Sequence, residues 1–306
     1  MLEVRQLYFK PLTVADKPQI SKYFTHNYMN SEATFTYHYL WRHAGKTVFA
    51  EVLDTLVLVT NFWGVPFTYP PFGSGDIAAS LAMTKEHFNS HGHPLYLRAV
   101  TTERKEAILR LYPNLYAVQA RDSYDYFYDA NDLRTLGGRK YMQKRNHLHA
   151  FLRDYPHYQY RPLMTNDIEE CLAFTNQWLA DRDSISPVLS VEVSALSELL
   201  KNYEQLGLTG GVITIQGRLA AFTLGERLNS NTVVIHVEKA KSSYRGLYQA
   251  INKDYLNNHW PDVQFVNREE DMGEEGLRKS KLSYHPIALI EKWEMAEVPP
   301  SSLHPD

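Results

Sequence analysis

The sequence predicts a mixed α/β protein of two similar domains, each a mixed, mostly antiparallel sheet flanked by helices. Three observations predict it. The second half alternates patterns in the order strand, helix, helix, three antiparallel strands, helix, strand, short helix, strand. The first half has a related rhythm of strand, helices, strand pair, and a later strand, helix, strand. A length of 306 residues with 44% hydrophobic side chains suits two cores of roughly 150 residues each.

Taken in order, LYFKPL at 7–12 reads as a short strand, and VADKPQISKYFTHN after it as a capped helix interrupted near Pro18. TVFAEVLDTLVLVT, 47–60, is a strand pair turning near Asp54. The loop GVPFTYPPFGSGD leads into IAASLAMTKEHFNSHG, where Ile77, Leu81 and Phe88 recur at helical spacing. PLYLRAV is then a strand, TTERKEAILRLYP a helix, and YAVQARDSYDYFYD strand-like.

In the second half GGRKYMQKRNHLHAFLRDYP is a helix opened by glycines and closed by Pro156, with Tyr141, Leu148, Leu152 and Tyr155 on one stripe. YQYRPL is a strand and NDIEECLAFTNQWLADRD a helix whose apolar side holds Ile168, Leu172 and the core residue Cys171. VEVSALSELLKNYEQLG is a helix stopped by Gly207. GVITIQGRLAAFTLGERLN is a hairpin turning at QGR, TVVIHVEKA an alternating strand, SYRGLYQAINKDYLNNHW an amphipathic helix and VQFVN a strand. GLRKSKLSY is a short helix and IALIEKWEM the final strand.

Composition narrows the function classes. A formal charge of −3 gives no global attraction to polyanions, although bases gather at 139–145 and acids at 269–275. One cysteine excludes an intramolecular disulfide. MLEVRQLYFKPLTVADK lacks the apolar core of a signal peptide, and no run nears the ~18 apolar residues of a membrane helix, so the expected location is the cytoplasm, with no integral membrane segment. HGH at 91–93 lacks a carboxylate or cysteine at ligand spacing, so no metal is expected there.

A crossover helix after the fourth strand is the arrangement of the acetyltransferase-like (GNAT) fold. Three blocks, LGGRKYMQKRNHLHAFLRDYP (136–156), AAFTLGERLNSNTVVIHVEKAKSSYRGLYQAINKDYL (220–256) and NREEDMGEEGLRKSKLSYHP (267–286), resemble a bacterial family related to the C-terminal catalytic domain of phosphatidylglycerol lysyltransferase. They resemble the Fem-type aminoacyltransferases more distantly. The resemblance implies tandem GNAT-like domains, 1–135 and 136–306, the second carrying the site. It also implies transfer of an acyl or aminoacyl group from an aminoacyl-tRNA donor. Two departures stand out: the membrane portion of the lipid-modifying enzymes is missing, which puts a lipid acceptor in doubt. The turn SSYRGLYQA offers Gly246 alone where acetyl-CoA enzymes use a glycine-rich pyrophosphate turn, and so weakens an acetyl-CoA reading.

Each candidate site residue has a functional and a bland reading. Glu238 ends its strand where open α/β sheets place ligands and is suited to take a proton from an acceptor; the alternative is an ion pair with Lys239 or Arg245. Strict alternation puts Val234, His236 and Glu238 on one face, with His236 packed rather than catalytic. Asn267, Glu269 and Asp271 leave the VQFVN strand toward the same cleft, where carboxylates suit the amine of an aminoacyl donor; for Asp271 the family motif favours this use. Arg278 and Lys281 share a helix face fit to bind phosphate or to stabilise charge on an ester oxygen. The competing reading pairs these bases with the acids of 269–275, with no ligand at all. Tyr284 is either a hydroxyl donor or core. Lys140, Lys144 and His147 share a basic helical stripe that, with Arg145, suits the acceptor end of a tRNA, or is simply a solvated face.

The expected activity is therefore aminoacyl transfer to an amine or hydroxyl of a small-molecule or peptide acceptor by direct attack, with Glu238 and Lys281 catalytic. Acetyl-CoA-dependent N-acetyl transfer is one alternative, and a non-catalytic ligand- or RNA-binding module is another.

Overall fold

A computed structural model describes residues 7–24, 28–62, 64–180 and 187–303. The chain forms two compact units, Met1–Tyr124 with Ile290–Asp306, and Asp125–Leu289.

In the first unit Val48–Val52 and Thr55–Phe62 form the expected hairpin, and β-branched and aromatic side chains bury Phe49, Leu56, Val57 and Leu58. The sheet order is Lys10–Pro11, Val48–Val52, Thr55–Phe62, Val65–Thr68, Tyr96–Thr101, Lys292–Ala296, Tyr116–Gln119, with Phe72–Gly73 alongside Thr55–Phe62. Asp76 caps the Ile77–Ser90 helix by accepting from the Ala79 N–H at 2.9 Å. This helix crosses the sheet and makes Thr68↔Leu97 a parallel junction. Lys292 is enclosed and pairs with Glu32 at 2.7 Å.

In the second unit the order is Ala288–Ile290, Asp125–Asp129, Phe265–Asn267, Thr232–Ala240, Arg218–Asn229, Thr209–Ile215, Gln159–Pro162. Gln216 and Gly217, both at positive φ, make the tight turn expected at QGR. Val233, Ile235 and Ala240 pack against Ala250, Ile251, Tyr255 and Leu256 of the Leu247–His259 helix. That helix crosses over to make the only parallel pair described in this sheet, Thr232–Val234 with Phe265–Asn267.

Both sheets thus join an antiparallel run to a parallel neighbour through a crossover helix. In each, the next strand comes from the far half of the chain: Lys292–Ala296 in the first and Asp125–Asp129 in the second. The boundary expected at 135/136 accordingly gives way to 124/125, and the strand expected over IALIEKWEM divides into Ala288–Ile290 and Lys292–Ala296, one in each sheet. Periodicity locates a strand but does not choose its partner.

The helix expected over GGRKYMQKRNHLHAFLRDYP is a 3-10 turn, Arg139–Tyr141, followed by an α-helix, Met142–Asp154. Its buried stripe runs through Leu148 and Phe151, while Leu152 is 38% exposed. Cys171 is buried, and burial pushes its thiol up to about 12. Among the described residues no helix is long and apolar enough to cross a membrane.

Candidate functional site

The site forms where the second unit's sheet opens. Pairing between Thr232–Ala240 and Phe265–Asn267 ends at Val234↔Asn267; the first strand continues, whereas the chain after Asn267 becomes a loop. On its other side the same strand bulges at His236, because the register passes from Leu224↔Val237 to Gly225↔Ile235. The bulge breaks the expected alternation. Past it, Glu238 accepts from Asn252 Nδ2 at 2.9 Å and so faces the Leu247–His259 helix, with Val233 and Ile235 rather than Val234.

Two ion pairs span the opening. Arg268 Nη2 donates to Glu238 Oε1 at 2.8 Å, and His236 Nδ1 lies 2.7 Å from Glu269 Oε1. His236 Nε2 also lies 3.1 Å from Glu226 Oε1. Burial alone would depress this imidazole, but Glu269 and Glu226 outweigh it and raise it to about 9. Burial likewise opposes the charge on Arg268, and Glu238 more than restores it.

The acidic loop and the basic helical turn largely answer each other. Asp271, fully enclosed, accepts from Tyr126 Oη at 2.5 Å, Gly273 N at 3.0 Å, and Arg278 Nε and Nη2 at 2.9 and 2.8 Å. Burial would raise its acid, yet Arg278 and Tyr126 hold it at about 2. The Lys281 ammonium donates to the carbonyls of Arg268 at 2.7 Å, Glu269 at 3.1 Å and Glu270. Burial lowers it to about 8 against the pull of Glu270 and Glu269. Asn267, also enclosed, donates to Asp125 and accepts from the Glu269 N–H. Asp271, Arg278, Lys281 and Asn267 are therefore all engaged in contacts that shape the loop.

A cavity of about 340 Å³ opens beside the Glu238–Arg268 pair. It is lined by Glu238, Arg268, Tyr284, Arg245, His147 and Gln249, among others. Tyr284 is core, with its hydroxyl pushed up to about 12 by burial and accepting from Gln249 Nε2 at 3.1 Å, and it also lines the cavity. Its ring carries two cations, Lys144 Nζ at 4.0 Å and Arg268 Cζ at 4.9 Å from the centroid. Burial and Arg268 depress Lys144 to about 8; burial, Arg245 and Lys144 depress His147. Arg245 and Arg268 line the cavity, Lys144 lies on the ring of its lining Tyr284, and the one lining carboxylate already pairs with Arg268. Arg268 Nη1 is buried with no hydrogen-bond partner among the described residues.

The remaining candidates divide. Arg245 lines the cavity, whereas Lys239 lays its ammonium 3.8 Å over the Trp178 ring. Of the expected RNA stripe, Lys140 pairs with Asp132 at 2.7 Å and Arg145 donates to the carbonyls of Leu136 and Gly138, which leaves Lys144 alone turned toward Tyr284. Gly246 opens the crossover helix at φ 89°, and a Cβ there would stand 2.1 Å from the His147 carbonyl oxygen. Close packing on the Met142–Asp154 helix thus requires this glycine, independently of any pyrophosphate. Sequence reasoning missed Arg268, Gln249 and Asn252 as site residues and placed His147 only on the basic stripe. For Arg268 the signal was present, a base leading the acidic run.

The family described as "Phosphatidylglycerol lysyltransferase, C-terminal" matches residues 25–296. An uncharacterised protein of Mycoplasmoides gallisepticum, MYCGA3080, is 26% identical over 174 residues, 56% of this chain and 55% of that protein, so the match spans about half of this curated relative. A crystal structure of a conserved protein of unknown function from Bacteroides thetaiotaomicron superposes with a TM-score of 0.91 at 34% identity, over 95% of this chain and 99% of that one. The C-terminal domain of a putative lysylphosphatidylglycerol synthetase from Agrobacterium fabrum shares the fold with a TM-score of 0.68 at 13% identity, over 95% and 93%. FemX shares it with a TM-score of 0.63 at 8% identity, over 97% and 98%.

Proposed function

The chain belongs to the phosphatidylglycerol lysyltransferase C-terminal family, and from that premise we propose that it transfers an aminoacyl group from an aminoacyl-tRNA to an amine or hydroxyl acceptor at the Glu238–Arg268 cavity. The observation that carries this reading is the cavity itself: a carboxylate and a guanidinium joined across the sheet opening, beside more cations than the lining carboxylate balances.

The acceptor's nitrogen or oxygen attacks the ester carbonyl directly. A bond forms to the acyl carbon, the carbonyl electron pair moves onto oxygen, and the collapsing intermediate breaks the ester bond to the terminal ribose. Glu238 receives the acceptor's proton and returns it to the departing ribose oxygen. Arg268 stabilises the oxygen while it is negative. Lys144 and Arg245 meet the donor's terminal phosphate, the role first expected of Arg278 and Lys281.

The test is a single-turnover assay of the full chain with labelled lysyl-tRNA, amine and hydroxyl acceptors including phosphatidylglycerol vesicles, and a parallel acetyl-CoA arm. Transfer from the tRNA is expected, falling by roughly 10²-fold or more in Glu238→Gln and Arg268→Gln. Transfer from acetyl-CoA alone would replace this reading with N-acetylation. Donor binding without turnover would replace it with a binding module.

A further inference from the structure

The strand and the loop at the sheet opening carry charges in alternating order: His236 faces Glu269, and two residues on, Glu238 faces Arg268. A slip of one residue would set His236 against Arg268 in one direction, or Glu238 against Glu269 in the other, so the order favours the observed register of the opening.

His236 meets two carboxylates at once, through Nδ1 to Glu269 and Nε2 to Glu226, with its side chain fully enclosed. A neutral imidazole has one N–H, and its second nitrogen would then turn a lone pair toward a carboxylate oxygen. Only with both ring nitrogens protonated does His236 donate to both carboxylates. The groups standing behind them are Arg268, Glu270, Lys281 and, beyond Lys281, Asp125 on the Glu269 side, and Tyr255 on the Glu226 side. Glu269 holds a φ of 55°, which a non-glycine residue keeps only where its surroundings over-determine it. Here the Glu269 N–H donates to Asn267, its carbonyl accepts from the Tyr126 N–H and from Lys281, and its side chain is held at His236. Arg268 is the preceding residue, so whatever fixes this turn also fixes the direction of its side chain.

We propose that His236 is a positioning residue: as an imidazolium gripping Glu226 and Glu269, it locks the turn that aims Arg268 at Glu238 beside the cavity. This rests on reading Arg268 as a working residue of the site. Its test uses no turnover, so it can fail without the transfer reading failing, and the reverse.

The experiment is nitrogen-15 NMR of the full chain labelled at histidine and arginine. Both His236 ring nitrogens are expected to be protonated at neutral pH and to lose that state only near pH 9. Protection of the Arg268 guanidinium protons from exchange is read against the 75%-exposed Arg153, and is expected to fall as His236 loses its charge. His236→Gln presents one donor and one acceptor to two carboxylates, and is expected to cut Arg268 protection about tenfold or more. Adding Glu226→Gln supplies a donor for the new acceptor and is expected to restore it. A neutral His236 at neutral pH overturns the proposal, as does Arg268 protection indifferent to His236→Gln. If that variant does not fold, the parent protein decides alone, because Arg268 protection that stays constant while His236 titrates is equally fatal.

Discussion

Arg278→Ala tests whether the acidic loop and the basic turn are structural partners. Removing the guanidinium strands Asp271, a fully enclosed carboxylate left with Tyr126 and the Gly273 N–H among the contacts described above. Breaking a buried pair from one side costs roughly 3–5 kcal/mol. Asp271→Asn is milder, because Arg278 is 32% exposed and can hydrate once released. Its cost follows from linkage: an acid at about 2 in the fold against 3.8 ordinarily is worth about 2 kcal/mol at neutral pH. The folded value is depressed, so this stability is present above 3.8 and disappears as pH falls through 2. The difference between parent and Asp271→Asn should therefore shrink across that acid window. Urea denaturation followed by far-ultraviolet circular dichroism at neutral pH and at stepped acid pH reads both quantities. A stable Arg278→Ala protein that has lost affinity for pyrophosphate would refute the reasoning, since the pair would then be serving a ligand.

Three further outcomes follow from the same geometry. His236 and Lys281 should give opposite pH trends in stability: the raised imidazole stabilises below its ordinary 6.5 and loses that contribution as pH rises through about 9, whereas the depressed ammonium penalises the fold at neutral pH and releases it as pH rises from about 8 to 10.5; denaturation of His236→Asn should lack the first trend and keep the second. Gly246→Ala should destabilise by about 2–5 kcal/mol, adding left-handed backbone strain to a collision with the His147 carbonyl, and a thermal melt of that variant decides it. Lys144→Ala should weaken pyrophosphate binding roughly fivefold or more by calorimetry, because its ammonium sits with Arg268 on Tyr284, whereas Lys140→Ala, which releases Asp132 and the Tyr141 ring, should leave it unchanged.

Why the fold was more legible than the site can be argued from particular residues. Strands such as Thr232–Ala240 and helices such as Leu247–His259 announce themselves through local periodicity, which depends on neighbours within one or two turns. The placement of Asp125–Asp129 and Lys292–Ala296 in the sheets depends on partners more than a hundred residues away. Glu238 was found because a strand end before a crossover helix is a position that topology alone marks as a ligand site. Its face was misjudged, since nothing local in TVVIHVEKA signals a bulge at His236.

Charge was the least legible property, because a sequence lists charges without their compensation. In the run from Arg268 to Lys281, Asp271 and Arg278 cancel at contact distance, Lys281 is satisfied by carbonyls that no residue-type pattern reveals, and Glu269 is taken by a histidine thirty-three residues earlier. What remains facing the cavity is Arg268, beside Lys144 and Arg245. These three are dispersed in sequence, and Lys144 and Arg245 are brought near one another where the crossover helix packs against Met142–Asp154 at Gly246. A site assembled from such dispersed cations, with its densest charge cluster spent on bracing the loop behind it, depends on that bracing for its direction. Weakening the brace at Asp271 should therefore disturb Arg268 before it unfolds the unit, and Arg268 guanidinium exchange measured in Asp271→Asn is the observation that decides it.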